Sequence, residues 1–180
     1  FLRDMNSTIN STKLVNHDLA GGFTSSFGAT EGVISGNGNF VAFLTAADDL
    51  DSRDNNTAND LFLFNRATEA VKLITADVTN TGPSNSADFG FSPQSISADG
   101  RFVVFQSSAT NLAPNSSAFT NAAFLRDTSE EKTYLVSPNR AGTGSVQGLN
   151  VVITPNGQYA GFLSGSSDLA SDVVSDTNGK

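Results

Sequence analysis

The stretch Ile96-Ser97-Ala98-Asp99-Gly100-Arg101-Phe102-Val103-Val104-Phe105 joins a polar turn to an apolar strand. Counterparts occur earlier, at residues 34–43, and later, at residues 153–162. In each copy a Gly follows Asn or Asp, a dipeptide favoured where a tight hairpin needs positive φ. The apolar residues after the turn are largely consecutive rather than alternating, which favours a strand buried on both faces. The sequence therefore predicts three copies of a turn that leads into a buried strand.

A second motif recurs in step with the first. Phe1-Leu2-Arg3-Asp4 matches Phe124-Leu125-Arg126-Asp127, and residues 61–65 occupy the same place between them. Both motifs share a spacing of roughly 60 residues, which indicates structural repeats. Short β-rich segments separated by Gly, Asn, Asp and Ser predict four strands per repeat and no helix. We expect a single segment, 1–180. It contains the last two strands of one repeat (1–16), two complete repeats (17–75 and 76–137) and the first two strands of another repeat (138–180).

Repeated four-stranded antiparallel units with buried inner strands are typical of a β-propeller. The run from Ser97 to Phe105 resembles the repeat of the TolB-like (WD40-like, PD40-type) propeller family, in which Ser-x-Asp-Gly-(Lys/Arg)-aromatic opens each blade. Phe-Leu-Arg-Asp resembles the third-strand motif of that family. The resemblance implies an all-β propeller, often six-bladed and usually non-enzymatic, in an exported or envelope protein.

The blade count predicted for this chain is about three, whereas propellers have roughly four to eight blades. The run at residues 176–180 is what the family places just ahead of a Phe-Leu-Arg-Asp strand, so the tail of the chain fits its own head. Three interpretations stay open. The chain is a fragment of a longer propeller, half of a twofold dimer with six blades, or an isolated stack of three sheets.

Composition excludes several classes of function. The formal net charge is −8, so the surface repels nucleic-acid phosphates and anionic lipid. No cysteine is present, which excludes disulfides, thiolate metal sites and a Cys nucleophile. No apolar run approaches the length of a membrane span.

A candidate Ca²⁺ site lies in the long acidic run between the second and third strands of the first repeat. Ca²⁺ prefers oxygen ligands from carboxylates, amides and backbone carbonyls. Candidate ligands are Asp54, Asn56 and Asp60, together with Asp176 and Asn178 in the third repeat. The second repeat has no acid in the corresponding run at 113–117. The alternative is a solvated loop in which Asp and Asn cap turns, and no other cofactor is predicted.

No catalytic residue is predicted. A nucleophilic triad needs a base beside the nucleophile. The single histidine, His17, lies in a polar linker and is predicted to be an exposed loop residue. Ser97, Asp99 and Gly100 resemble the Asp box of sialidase propellers, but the spacing and the Trp of that box are missing, which favours a plain turn.

The sequence thus predicts a non-enzymatic propeller module that serves binding or scaffolding. Its partners are expected to be proteins or further copies of itself, and its location extracellular, cell-surface or periplasmic. The alternative is the propeller part of a larger hydrolase or peptidase whose catalytic domain is not in this chain.

Overall fold

The computed structural model describes residues 1–5, 11–86, 88–89, 91–117 and 121–169, with the backbone alone at 88–89. All regular elements in this part of the chain are β-strands, as predicted, and no described segment is a helix that could cross a membrane. The strands are β1 (Leu2–Arg3), β2 (Thr12–Lys13), β3 (Glu31–Ile34), β4 (Phe40–Thr45), β5 (Asp60–Asn65), β6 (Val71–Leu73), β7 (Asp88–Phe89), β8 (Phe102–Ser107), β9 (Ala122–Asp127), β10 (Lys132–Leu135), β11 (Leu149–Ile153) and β12 (Ala160–Leu163).

The strands form four antiparallel sheets in chain order. Two are four-stranded, with the orders β3-β4-β5-β6 and β7-β8-β9-β10, so neighbours in sequence are neighbours in space. Two are two-stranded, β1-β2 at the start and β11-β12 at the end. Each sheet falls inside one of the four segments that the repeats predict. Ring closure and the number of blades remain predictions.

The two four-stranded sheets share one register. In the first sheet Phe43 of β4 lies opposite Phe62 of β5, and in the second Phe105 of β8 lies opposite Phe124 of β9. The rings of the two pairs stack with centroids 5.9 and 5.8 Å apart. Offset stacking adds to the burial energy of such cross-strand pairs. Each repeat therefore holds one stacked Phe pair in its inner strands.

The core lies between successive sheets. Leu44 and Leu63 of the first sheet share an apolar cluster with Val103 and Phe105 of the second. The opposite face of the first sheet packs on Val15 beside the β1-β2 sheet, and that of the second packs on β11. The inner strands are thus covered on both faces, which confirms that consecutive apolar residues signal a doubly buried strand. The outer strands β6 and β10 are more exposed.

The repeated turn is held by one hydrogen-bond pattern. The Ser97 hydroxyl donates to Asp99 Oδ1 at 2.6 Å and accepts from the Phe102 amide at 3.0 Å. The Arg101 amide also donates to Asp99 Oδ1. Equivalent bonds occur around Ser35 and Thr154. The positive φ that the dipeptides predict is found at the Gly of each pair, at Gly38, Gly100 and Gly157. The side-chain oxygen is needed for these bonds, and Asp99 serves the turn rather than a catalytic site.

The turns of successive repeats also contact one another. The Asn37 amide donates to the Ala98 carbonyl at 3.0 Å, and the Ala98 amide donates to the Pro155 carbonyl at 2.7 Å. A Cβ on Gly100 would overlap the Phe40 ring, and a Cβ on Gly157 would overlap the Phe102 ring. The aromatic residue after one turn therefore seats on the Gly of the next turn along the stack of sheets.

Candidate functional site

The three described candidate ligands lie at one corner of the first sheet. Asp54 and Asn56 belong to the loop between β4 and β5, called here the first-repeat loop (residues 46–59), and Asp60 is the first residue of β5. Asp176 and Asn178 lie outside the described residues. The loop folds this way because Ala47 and Leu50 are buried and fix its first half against the core.

Asp60 is fully buried, with no exposed surface. Its Oδ1 accepts hydrogen bonds from the hydroxyls of Thr75 at 2.7 Å and Ser84 at 3.3 Å. Its Oδ2 is buried and accepts none. Burial raises the pKa of Asp60 to about 7, and the nearby Asp54 carboxylate contributes to the rise. A carboxyl group without a full set of donors is costly to ionise at such a place.

Asp54 is also buried, with 4% of its surface exposed. Its Oδ1 accepts from the Asn56 amide at 3.2 Å, and its Oδ2 is buried without a hydrogen-bond partner. Burial raises the pKa of Asp54 to about 6, and the charges of Asp48 and Asp51 add to this. We call Asp54 and Asp60 the acidic corner.

The side chain of Asn56 serves the loop and also lies close to Asp60, where it opposes the rise in the pKa of that carboxyl group. Asn56 Oδ1 accepts from the Ala58 amide at 2.6 Å, which is an Asx turn. The prediction that Asp and Asn cap turns in this loop is therefore correct for Asn56. Asp54 caps the loop in the same way, through the Asn56 amide, but Asp54 and Asp60 are buried rather than solvated.

The positive charge nearest to the corner in sequence is already engaged. Arg53 bonds both oxygens of Asp51, from Nε at 2.9 Å and from Nη2 at 2.6 Å, and the Leu73 amide adds a bond at 2.9 Å. Burial raises the pKa of Asp51, but these hydrogen bonds outweigh it and the net shift is downward. Among the described residues no salt bridge reaches Asp54 or Asp60, so Asp51 and Arg53 form a separate neutral pair.

The described residues hold no group of three His, Cys, Asp or Glu side chains arranged around one point. Any ion at the acidic corner would therefore have two carboxylates and would complete its shell with amide, hydroxyl, backbone or water oxygens. This donor set suits a hard cation and does not suit a soft one.

His17 packs against the first sheet, and both of its ring nitrogens lie close to backbone carbonyls. Its Nδ1 lies 2.9 Å from the Asp18 carbonyl and its Nε2 lies 2.8 Å from the Glu69 carbonyl. The ring is half-buried and meets the Phe64 ring edge-on at 6.0 Å. The expectation of an exposed loop residue is wrong, since the linker runs back over the first sheet and packs the ring there.

The sequence did not reveal a polar junction between the first and second sheets. Arg126 is buried and donates to Asn80 Oδ1 at 2.6 Å, and Arg53 donates to the same oxygen at 2.9 Å. Burial lowers the pKa of Arg126 to about 10. Asn80 also donates to Glu131. The Arg of the Phe-Leu-Arg-Asp motif was the one available signal, and its role depends on partners distant in sequence.

Comparisons with known proteins show limited similarity. No protein-family model matches the chain, and no curated protein matches it. Among solved structures, TolB from Acinetobacter baumannii is similar with a TM-score of 0.45 and 15% sequence identity. The match covers 81% of this chain and 29% of the TolB chain. The chain therefore spans less than a third of the protein that it resembles in this comparison.

Proposed function

We propose that this chain is a non-enzymatic β-propeller-type scaffold that assembles through the open sides of β1 and β12. One observation carries the proposal, namely the place of Phe1. In the repeat motif Phe1 corresponds to Phe62 and Phe124, which have no exposed surface, whereas Phe1 is 84% exposed. A large apolar side chain that is buried in two repeats and exposed in a third marks a surface suited to a partner.

The position that would pair with Phe1 lies in β12, the last described strand. Phe162 in β12 corresponds to Phe43 and Phe105, the residues that stack on Phe62 and Phe124 in the complete sheets. Within the part of the chain that the structure describes, β12 pairs with β11 alone and β1 with β2 alone. If β12 of one copy paired with β1 of another, Phe162 and Phe1 would form the third stacked pair.

The flanks of β12 support the same arrangement. Leu163 is 62% exposed, while its counterpart Leu44 is 6% exposed. Tyr159 is 66% exposed and corresponds to the aromatic residue that seats on the Gly of the next turn. At the opposite end a Cβ on Gly38 would meet nothing within 4 Å, so its face is open to such a ring. The two ends are complementary in shape and in apolar character.

The proposed assembly is a twofold dimer in which each copy completes the other's half-sheet. Two such junctions would close a ring of six four-stranded units and cover both open sides. The location that we propose is exported or cell-surface, which is what the resemblance of the repeat motif implies.

Light scattering on the purified chain tests the assembly. We expect about twice the monomer mass, because a closed ring buries both ends. Phe1→Ala is expected to shift the dissociation constant by at least about tenfold, since it removes an aromatic anchor. Phe23→Ala, which alters an exposed Phe outside the proposed junction, should leave the mass unchanged. A monomer at high protein concentration would contradict self-association.

Engineered cysteines give a second test, which is clean because the chain has none. Phe1→Cys combined with Phe162→Cys should form two disulfides between copies under oxidising conditions, if the residues face each other across paired strands. The product would be a covalent dimer on a non-reducing gel. Phe23→Cys combined with Phe162→Cys is the matched control and should give no discrete dimer.

A further inference from the structure

We propose that the acidic corner formed by Asp54 and Asp60 binds one divalent cation, Ca²⁺, which fastens the first-repeat loop to the start of β5. The site is separate from the junction proposed above, since it lies at a corner of the first sheet and involves neither β1 nor β12. No assembly step is needed for it.

The first argument is the state of the two carboxylates. Asp54 Oδ2 and Asp60 Oδ2 are both buried, and neither accepts a hydrogen bond. A buried acceptor without a partner costs on the order of 1–3 kcal/mol, and more when it carries charge. Two such atoms at one corner point to a ligand that supplies positive charge to both.

The second argument is the local charge. Asp48 and Asp51 both act on Asp54, and Asp54 acts on Asp60, so the corner lies in a negative field. The charge of Arg53 is committed to Asp51 by hydrogen bonds to both of its oxygens. A bound cation would balance the corner, and burial would strengthen the attraction because the local dielectric is low.

The third argument is that the fold does not need these acids. The loop between β8 and β9, called here the second-repeat loop (residues 108–121), has the same length and is flanked by equivalent strands. At the places of Asp54 and Asp60 it has Ser116 and Ala122, and Ala122 is buried without difficulty. The equivalent strand therefore begins without a buried acid, so burial of two carboxyl groups in the first repeat is not a requirement of the repeat itself.

The hydroxyl beside the corner shows the same contrast. In the second repeat the Ser137 hydroxyl accepts from the Ala123 amide and donates to the Val146 carbonyl at 2.8 Å. In the first repeat the equivalent Thr75 hydroxyl accepts from the Leu61 amide and donates to Asp60 at 2.7 Å. A hydroxyl that normally satisfies backbone is thus redirected to orient a carboxylate, as is common for groups around a metal ligand.

Ca²⁺ fits this corner better than Mg²⁺ or a transition metal. It accepts flexible shells of six to eight oxygens, including backbone carbonyls and waters. Two carboxylates are few for a high-affinity site. We therefore expect a dissociation constant of about 10⁻⁴–10⁻³ M, the range of weak extracellular Ca²⁺ modules.

Calorimetric titration of Ca²⁺ into the full chain, freed of metal by chelation and dialysis at neutral pH, tests the proposal. One site is expected for the wild-type chain, together with a rise in melting temperature. Asp54→Asn combined with Asp60→Asn should weaken binding at least about tenfold, since both charged ligands are lost. Asp168→Asn removes one exposed charge in the third repeat and should bind Ca²⁺ like the wild type.

The controls separate a bound cation from a bound proton. Mg²⁺ and K⁺ are titrated in parallel and should bind more weakly than Ca²⁺. No heat with Ca²⁺ and no change in melting temperature, with an infrared band of a protonated carboxyl that disappears in Asp60→Asn, would overturn the proposal. If the double variant does not fold, Asp60→Ala replaces it, because Ala122 shows that Ala is accepted at this place in a sheet.

Discussion

The first-repeat loop and the second-repeat loop have the same length and the same kind of apolar anchors, but only the first has acids at the compared positions. Both begin with a buried pair, Ala47 and Leu50 in the first and Ala109 and Leu112 in the second. At the start of the following strand the first has Asp60, and the second has an apolar residue. The apolar anchors are therefore enough to fix the course of such a loop, and the polar positions between them are available for a ligand.

The largest effect is expected at the turn, which both repeats share. Gly100→Ala should cost about 4 kcal/mol, since the residue has positive φ and a Cβ would overlap the Phe40 ring. Gly21→Ala is the control, with a similar φ, nothing within 4 Å and a place outside the proposed junction, and should cost only about 1 kcal/mol. Urea unfolding of both variants measures the difference. Equal losses would show that the stacking of turns contributes nothing.

The two loops can be compared directly by exchanging Asp and Ala at the first residue of the strand that follows each loop, Asp60 of β5 and Ala122 of β9. Ala122→Asp should destabilise the chain by about 3 kcal/mol, because it buries a carboxyl where Ser137 has its hydroxyl committed to backbone. Thermal or urea unfolding in chelator measures it.

The reverse change, Asp60→Ala, should lower the free energy of unfolding in chelator by at most about 1 kcal/mol, or raise it. The reason is that it removes a buried carboxyl group with an unpartnered oxygen. In Ca²⁺ the same variant should lose the stabilisation that the wild type gains. A large loss in chelator would mean that Asp60 is a structural residue.

The stability of the metal-free chain is also expected to depend on pH. The pKa of Asp60 is raised from 3.8 to about 7 in the folded state. The folded chain therefore binds this proton more tightly than the unfolded chain, so the contribution is full below pH 4 and is lost as the pH rises through 7. Relative to Asp60→Asn, the wild type should lose on the order of 2–4 kcal/mol between pH 4 and pH 8.

Urea unfolding at several pH values, with chelator throughout, measures this difference between the wild type and Asp60→Asn. Asp54, with its pKa raised to about 6, contributes a loss of the same sign in both chains, so that loss largely cancels in the difference. Parallel pH profiles for the two chains would show that Asp60 is not perturbed.

The smallest effect on stability is expected at the last residue of β9, Asp127, which corresponds to Asn65 at the end of β5. Asp127 Oδ1 caps the following turn through the Ser129 amide at 2.9 Å, and Asn65 caps the equivalent turn through the Ala67 amide at 2.9 Å. Asp127→Asn should therefore keep the cap and lose only the pairing with the half-exposed Arg101, at a cost below about 1 kcal/mol.

The direction in which stability changes with pH distinguishes the pair of Asp127 and Arg101 from the acidic corner. Burial works against the charge of Asp127, but hydrogen bonds from Arg101 and Ser129 outweigh it, and the pKa is held well below its usual range. Its contribution is present above the unfolded pKa and is lost on acidification. The difference between the wild type and Asp127→Asn should therefore shrink below pH 4, as measured by urea unfolding.

Much of the fold could be predicted because its determinants are local. The strand positions follow from short apolar runs between turn residues, and the turns follow from Ser-x-Asp-Gly, whose hydrogen bonds span only a few residues. The same pattern gave the place of Asp54, Asn56 and Asp60. It did not give the burial of Asp60, because that depends on Thr75 and Ser84, which belong to later parts of the chain.

By itself the sequence determined the all-β class, the repeated unit and the length of the loops, since apolar periodicity and turn chemistry act over neighbouring residues. Only the tertiary structure decided that His17 packs on Phe64 and that Arg126 joins two sheets through Asn80. It also decided that the two carboxyl groups of the acidic corner are buried. These outcomes depend on which surfaces meet when the sheets pack. Burial and its electrostatic cost are properties of that packing and not of any one segment.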